Sequence, residues 1–509
     1  MKHNFQNHIA MLWFASTLCA YAQPMNVLIA NTPCYNWSFG CFGTGTGMFM
    51  AYWDRNGFSN IYTGSVNGGV ATLTFREGGV NANMRALWAT QAGFAGRHAT
   101  NWGHYDNYGG AHATYQSTAP DPYIALAREE HEPECIGDFI GLNQNKWTNL
   151  NGECNGNIDA YAFNYFDPSG AKRVNFVPPE QNGLPIPDIQ SGLKAFAESR
   201  GYAGDSFSQL ADVWPDTPAG AGFTFNDLRR EIDAGRPLLL FLQRHEYARG
   251  NGYNPDIHAF YAIGYEITAS GVKRVRVRDG WTDNVNSYRV ITWGPSYFYS
   301  PAQLYLRGVI GMNLKSEVTH VEINGSASFM EWLGPTGLVT DTVAGTQWNP
   351  HWHIVEASDQ LGTNHAYIPV STASPSYRVD FDYEPDQPLT VYRLRRLEPV
   401  YVVDTNLEAA VRNDLPVKHG PDPVLYDVEM EGLVTLDASG QSIAELQGLE
   451  YATRLNYVNL ADNVISNINP LLINMVSGST VVLSNNPLSS LAITNQIPVL
   501  QGMGVLVHY

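Results

Sequence analysis

The chain has 509 residues, of which 44% are apolar, 12% aromatic and only 15% charged, with 30 basic against 48 acidic side chains and a net charge of −18. That length exceeds what one core can organise and the apolar content excludes wholesale disorder, so several folded domains are expected. An acidic chain without an extended Lys/Arg run has little to neutralise a phosphate backbone or an anionic bilayer, which argues against nucleic acid as a partner.

Lys2 and His3 precede an apolar run from Ile9 to Ala20 that closes on Ala20-Tyr21-Ala22. This is the pattern of a secretory signal peptide over residues 1–22, cut after Ala22. Its apolar core of about 12 residues is short of the ~20 that span a bilayer, and no later stretch comes near that length. The mature chain is therefore expected to be secreted or at the cell surface, without an integral membrane segment. Cysteines stand at 19, 34, 41, 135 and 154. Cys19 leaves with the signal, and four are too few for a disulfide scaffold. A disulfide between Cys135 and Cys154, closing a polar loop, is preferred over two free thiols; Cys34 has no assigned role.

Residues 23–313 mix two periodicities. Helices are predicted at Gly47–Asp54, Asp188–Arg200 and Thr224–Ala234, and strands at Pro237–Gln243, His258–Glu266 and Val272–Arg278, which together suggest an α+β domain. Over 314–403 the helical signals vanish and short β-like runs follow at Val318–Ile323, Trp352–Val355, Tyr377–Phe381 and Leu389–Leu394, so a small β-sandwich is expected. The segment Pro388–Leu397 resembles the closing strand of β-modules in large bacterial surface proteins, which implies a spacer or adhesion role.

Residues 404–509 carry an internal repeat. Leu433, Leu436, Ala438, Gln441, Ile443, Leu446 and Leu449 recur 22 positions later as Leu455, Val458, Leu460, Asn463, Ile465, Ile468 and Leu471, and a degraded third copy holds Val481, Leu483, Asn486 and Leu488. This is leucine-rich-repeat spacing, in which one short strand and a turn stack on the next copy and the Asn bonds backbone within the turn. Helical spacing at Leu407, Val411 and Leu415, with Thr405 or Asn406 as cap, predicts a helix closing the first coil of a short solenoid. The layout resembles the repeat domains of internalins, which implies a possible protein partner for 404–509; the alternative is that the repeats merely cap the chain.

Three separated motifs bear chemistry. Gly40-Cys41 opens a segment that turns helical, and a thiol at a helix N-terminus faces the positive end of the dipole, which favours thiolate. His258 begins an apolar strand, and Asp279-Gly280-Trp281 follows the next, so a hairpin would bring His258 and Asp279 together. A nucleophilic Cys41 needs a base, His258, and the base needs an orienting third group, Asp279. Taken singly, Cys41 also reads as an inert thiol or a disulfide partner of Cys34, His258 as a core histidine and Asp279 as a turn residue; the triad rests on all three.

The order of these motifs over about residues 30–310 resembles the papain-like cysteine peptidases, and Gly40-Cys41 running into Ala51-Tyr-Trp-Asp54 is similar to the relatives of bacteriocin-processing, double-glycine-cleaving enzymes. The resemblance implies a peptide or protein substrate, an acyl-enzyme on Cys41, His258 as base and acid, and Trp281 as a shield for the Asp–His pair. Two features depart from the family. Tyr35 stands where a Gln usually donates to the oxyanion, leaving Asn36 as substitute donor, and Gly43, Gly45 and Gly47 replace the usual Pro-Thr and Ala. The alternative reading is an inactive, protein-binding adhesin on a peptidase-like scaffold. No cofactor or metal is expected: the glycines at 43–47 lack a nucleotide-binding pattern, and His98, His104, His112, His351 and His353 lack zinc-site spacing and read as surface histidines.

Overall fold

The computed structural model describes residues 25–36, 40–63, 69–76, 135–140, 166–181, 184–185, 188–245, 258–296, 303–322, 328–333, 338–344, 346–348, 351–358, 368–369, 371, 373–374, 378–381, 391–419 and 424–509, with 81, 84 and 87. The expected signal peptide and Cys154, with its pairing to Cys135, lie outside the described residues, as do His98, His104 and His112.

The first region is a largely antiparallel sheet with helices packed on it. Its elements are β1 (Met25–Ile29), α1 (Gly40–Arg55), α2 (Ile189–Ser199), β2 (Gly204–Leu210), α3 (Phe225–Asp233), β3 (Leu238–Gln243), β4 (His258–Ile267), β5 (Lys273–Arg278), β6 (Arg289–Thr292) and β7 (Leu304–Leu314). β4 is the hub. β5 pairs along one of its edges, while β3 takes its first half and β1 its second half. β1 and β4 approach so closely at Gly264 that a Cβ there would lie 2.2 Å from the Val27 carbonyl oxygen.

Local chemistry explains the helices. Asp188 caps α2 by accepting from the Ser191 N–H at 2.7 Å. Thr224 and Asp227 form a reciprocal capping box at the start of α3, with distances of 3.1 and 2.8 Å. The predicted Gly47–Asp54 helix starts seven residues earlier, at Gly40. Glycine propensity argued against those turns, but Phe42, Met48, Phe49, Tyr52 and Trp53 are all buried, and tertiary packing overrides the propensity.

The segment after residue 314 holds β8 (Glu317–Glu322), β9 (Ser328–Leu333), β10 (Val339–Asp341), β11 (Thr346–Trp348), β12 (His353–Ser358), β13 (Ile368–Pro369), β14 (Arg378–Phe381) and β15 (Val391–Arg396). Two three-stranded sheets, β8-β9-β14 and β13-β12-β15, share an apolar cluster of Met330, Trp332, Val355, Val379 and Phe381. β10 and β11 instead extend the first sheet, because β10 pairs with the otherwise open edge of β1. His351 and His353, expected on the surface, are buried at 2% and 0% exposure: His353 packs on Trp332, and its ring nitrogens meet Ser316 Oγ and the His351 carbonyl, each at 2.9 Å.

Residues 404–509 stack one short strand per coil. β16 (Thr435–Asp437), β17 (Tyr457–Asn459), β18 (Thr480–Val482) and β19 (Leu506–His508) are parallel and in register, with Leu436, Val458, Val481 and Val507 aligned in the core. The Asn of the second and third copies also bridges coils. Asn463 donates to the carbonyls of Ala438 and Leu460 at 2.8 and 3.0 Å and accepts from the N–H groups of Gln441 and Ile443 at 3.0 and 2.9 Å. Gly440, Asp462 and Asn485 occupy one left-handed turn position in successive coils, with φ of 66°, 58° and 60°. Ahead of them α4 (Thr405–Asp414) is capped by Asp404 rather than Thr405 or Asn406; its carboxylate accepts from Asn406 and Leu407 and also from the Ala444 N–H, tying the helix to the first coil.

The regions are joined by buried polar contacts. Arg236 lies between Glu231 and Glu398 at 2.6 and 2.5 Å, Tyr401 donates to Asp233, and Asn226 donates to Gln447 at 3.1 Å.

Candidate active site

Helix α1 begins beside the start of β4, and Cys41 in its first turn is half-buried and packs against the apolar core. Backbone N–H donors of Ala259, Phe42 and Cys41 itself lie near its sulfur. These donors favour thiolate, yet burial outweighs them and pushes the thiol up to about 11. That burial opposes the thiolate expected from the helix dipole. Cys34 and Cys41 are both free cysteines. Cys34 lies against the Thr282 and Asn284 carbonyls at 3.2 and 3.3 Å.

Ala259 follows His258, so the nearness of the Ala259 backbone to the sulfur places Cys41 beside the start of β4, next to the histidine. The β4–β5 hairpin, paired from Ile267 with Lys273 to Tyr261 with Arg278, returns the chain so that His258 Nε2 lies 3.2 Å from the Asp279 backbone carbonyl. A carbonyl only accepts, so Nε2 carries the proton and Nδ1 presents the lone pair. Burial lowers the His258 pKa to about 4 against the favourable pull of Asp279, leaving the ring neutral at pH 7.

The Asp279 carboxylate is 5% exposed and accepts from Arg289 Nε at 2.9 Å and from the Trp281 N–H at 3.1 Å. Trp281 meets this corner through its backbone, and the residue is 42% exposed. Arg289 and the Asp279 carbonyl were missed in the sequence because each depends on register: β6 pairs Arg289 opposite Val277, two residues before Asp279. Asn36 reaches the same corner through an antiparallel bridge to Trp281, while its own N–H is spent on the Phe75 carbonyl at 2.9 Å. Tyr35, in the usual oxyanion-donor position, is buried and donates its hydroxyl to the Thr72 carbonyl at 2.8 Å. No group of His, Cys, Asp and Glu suited to a metal ion occurs among the described residues.

No family model matches the chain, and no curated protein matches it. Among solved structures, an internalin from Listeria monocytogenes is similar at 29% identity over 21% of this chain and 29% of that one, with a TM-score of 0.18. Internalin C2 from the same organism gives 22% identity over 20% of this chain and 42% of that one, with a TM-score of 0.17. The chain thus spans less than half the length of either internalin. A structure of CBM51-2 and INT domains from Clostridium perfringens ZmpB, in complex with GlcNAc, gives 10% identity over 44% of this chain and 72% of that one, with a TM-score of 0.14. The internalin likeness extends over about a fifth of the chain.

Among the described residues no helix is long and apolar enough to cross a membrane.

Proposed function

We propose that the chain is an exported cysteine peptidase of papain-like type, hydrolysing peptide bonds through Cys41, His258 and Asp279, with a leucine-rich-repeat region at 404–509 that binds a protein partner. The observation that carries this reading is the convergence of three distant motifs on one corner: Cys41 beside the Ala259 backbone that follows His258, and His258 Nε2 on the Asp279 backbone carbonyl. Neutral His258 is the form a general base requires. As the thiol attacks a carbonyl, Nδ1 takes its proton; the imidazolium then protonates the leaving amine, and water cleaves the acyl-enzyme. The Asp279 carbonyl fixes the ring tautomer, and Arg289 with the Trp281 N–H holds the carboxylate beside it. The Cys41 and Phe42 N–H groups at the start of α1, with Asn36, supply candidate oxyanion donors.

Cleavage of a peptide library by wild type and Cys41→Ala tests the proposal, with iodoacetamide mapping in parallel. Selective alkylation of Cys41 that is lost in His258→Ala is expected; cleavage unchanged in Cys41→Ala sinks the reading.

A second reading, an inactive scaffold that presents the repeats, is favoured by the high thiol pKa and by the engagement of Asp279 with Arg289. The outward strand positions Tyr457 and Leu506, 39% and 57% exposed, would then carry partner binding. Under that reading Cys41→Ala leaves every function intact, and deletion of 401–509 removes it.

A further inference from the structure

A cavity of about 480 Å³ lies between β1, the β5–β6 connection and β10, and none of Cys41, His258 or Asp279 lines it. Its wall is apolar at Leu28, Leu73, Ile263 and Val285 and polar at Thr32 and Arg278. Arg278 is 6% exposed, and among the described residues its guanidinium donates to neutral oxygens, the Ser287 carbonyl, the Val285 carbonyl at 2.8 Å and Thr32 Oγ1 at 3.3 Å, and lies near the Cys34 thiol. Its Nε–H has no acceptor among the described residues. Several other buried guanidinium groups hold carboxylates: Arg236 holds Glu231 and Glu398, Arg276 holds Glu266, and Arg395 holds Glu356, Asp427 and Glu431, while Arg307 donates to the neutral Gln243. Asp279, the neighbour of Arg278, is turned to Arg289 instead.

A buried cation without a counter-charge is costly, and an anion entering the cavity would relieve that cost. A single guanidinium suits one planar carboxylate, which its fork geometry matches, rather than a phosphate dianion. Thr32 accepts from Arg278 and keeps its own hydroxyl proton to donate. The volume admits a small organic molecule, and the apolar wall requires more than a bare ion. We propose that this cavity binds a small monocarboxylate with an apolar body, its carboxylate on Arg278 and its apolar part against Leu28, Leu73 and Ile263.

Isothermal titration of the full chain with N-acetyl-leucine, N-acetyl-leucinamide and inorganic phosphate tests this. Saturable binding of the acid is expected, with the amide weaker by about tenfold or more, the loss expected when a charge-assisted hydrogen bond disappears. Arg278→Gln should abolish binding. Because that change removes buried hydrogen bonds, Asn286→Trp provides a second variant: Asn286 is exposed at the cavity, and the added indole should block entry without altering the Arg278 contacts. Binding retained in Cys41→Ala is expected, since no step involves the thiol. Failure of the acid to saturate wild type, equal binding of acid and amide, phosphate binding as tight as the acid, or wild-type binding by Asn286→Trp would each overturn the proposal.

Discussion

The sheet region and the repeat coils bury polar groups in opposite ways. The repeats use one neutral device again and again: an Asn amide that bonds backbone in its own coil and in the coil before it, as Asn463 and Asn486 do. The sheet region uses charges, each in its own arrangement: Asp54 accepts the Tyr62 and Ala71 N–H groups at 2.7 Å, Arg236 joins two glutamates, and Asp233 takes the hydroxyls of Tyr265 and Tyr401. The amides themselves do not titrate, whereas burial raises Asp54 and Asp233 to about 6 and lowers His258 to about 4. Reactivity belongs with the second strategy, where buried carboxyls and a buried imidazole are held away from their ordinary values.

The contrast can be broken first at the thiol. Cys41→Ala is expected to lower kcat/KM on library-derived peptides by about a thousandfold or more, with an unchanged circular dichroism spectrum. A smaller loss would move the sheet region into the structural class of the repeats. Next, Arg236→Ala leaves Glu231 and Glu398 facing each other and should cost about 3–5 kcal/mol in denaturant unfolding. Asn463→Ala, which strands backbone groups in two coils, should cost about 2–4 kcal/mol, and that loss should not vary between pH 4 and 7.

The pH profile sharpens the same comparison. Activity should fall as pH drops through about 4, where His258 takes the proton that disables it as a base. Over the window from 6.5 down to 4 the unfolded chain binds that proton first, so the His258 contribution to stability declines on acidification; from 9 up to about 11 the unfolded Cys41 ionises first and its contribution declines with rising pH. Rate measurements against pH with a parallel folding signal separate the two, and an acid limb near 6.5 would show a solvated imidazole. The smallest effect expected is Thr224→Ala, about 1 kcal/mol of thermal stability from the lost cap of α3.

Elements with local causes were legible in the sequence. The helices beginning near Asp188 and Thr224, the hairpin joining His258 to Asp279, and the 22-residue spacing all announce themselves within a few residues of where they act. What required distant partners was not. The fourth coil was invisible because spacing lengthens from 22 and 23 to 26 residues before Leu506. The burial that opposes thiolate at Cys41 was invisible because helix position is read from neighbours in sequence, while burial comes from the distant core against which Cys41 packs. Arg289 was missed because its partner is set by strand register.

The position of β1 has a consequence for assembly. It is hydrogen-bonded on one edge to residues 264–267 and on the other to 339–341. At a synthesis rate of about 5–20 residues per second, the strand at residue 25 waits tens of seconds before its last partner exists. Until then at least one of its edges is open, and the nascent first region is a species that needs shielding from intermolecular pairing. A ribosome-arrested chain ending before residue 339 is therefore expected to bind a holdase chaperone, and one extended past residue 348 should release it.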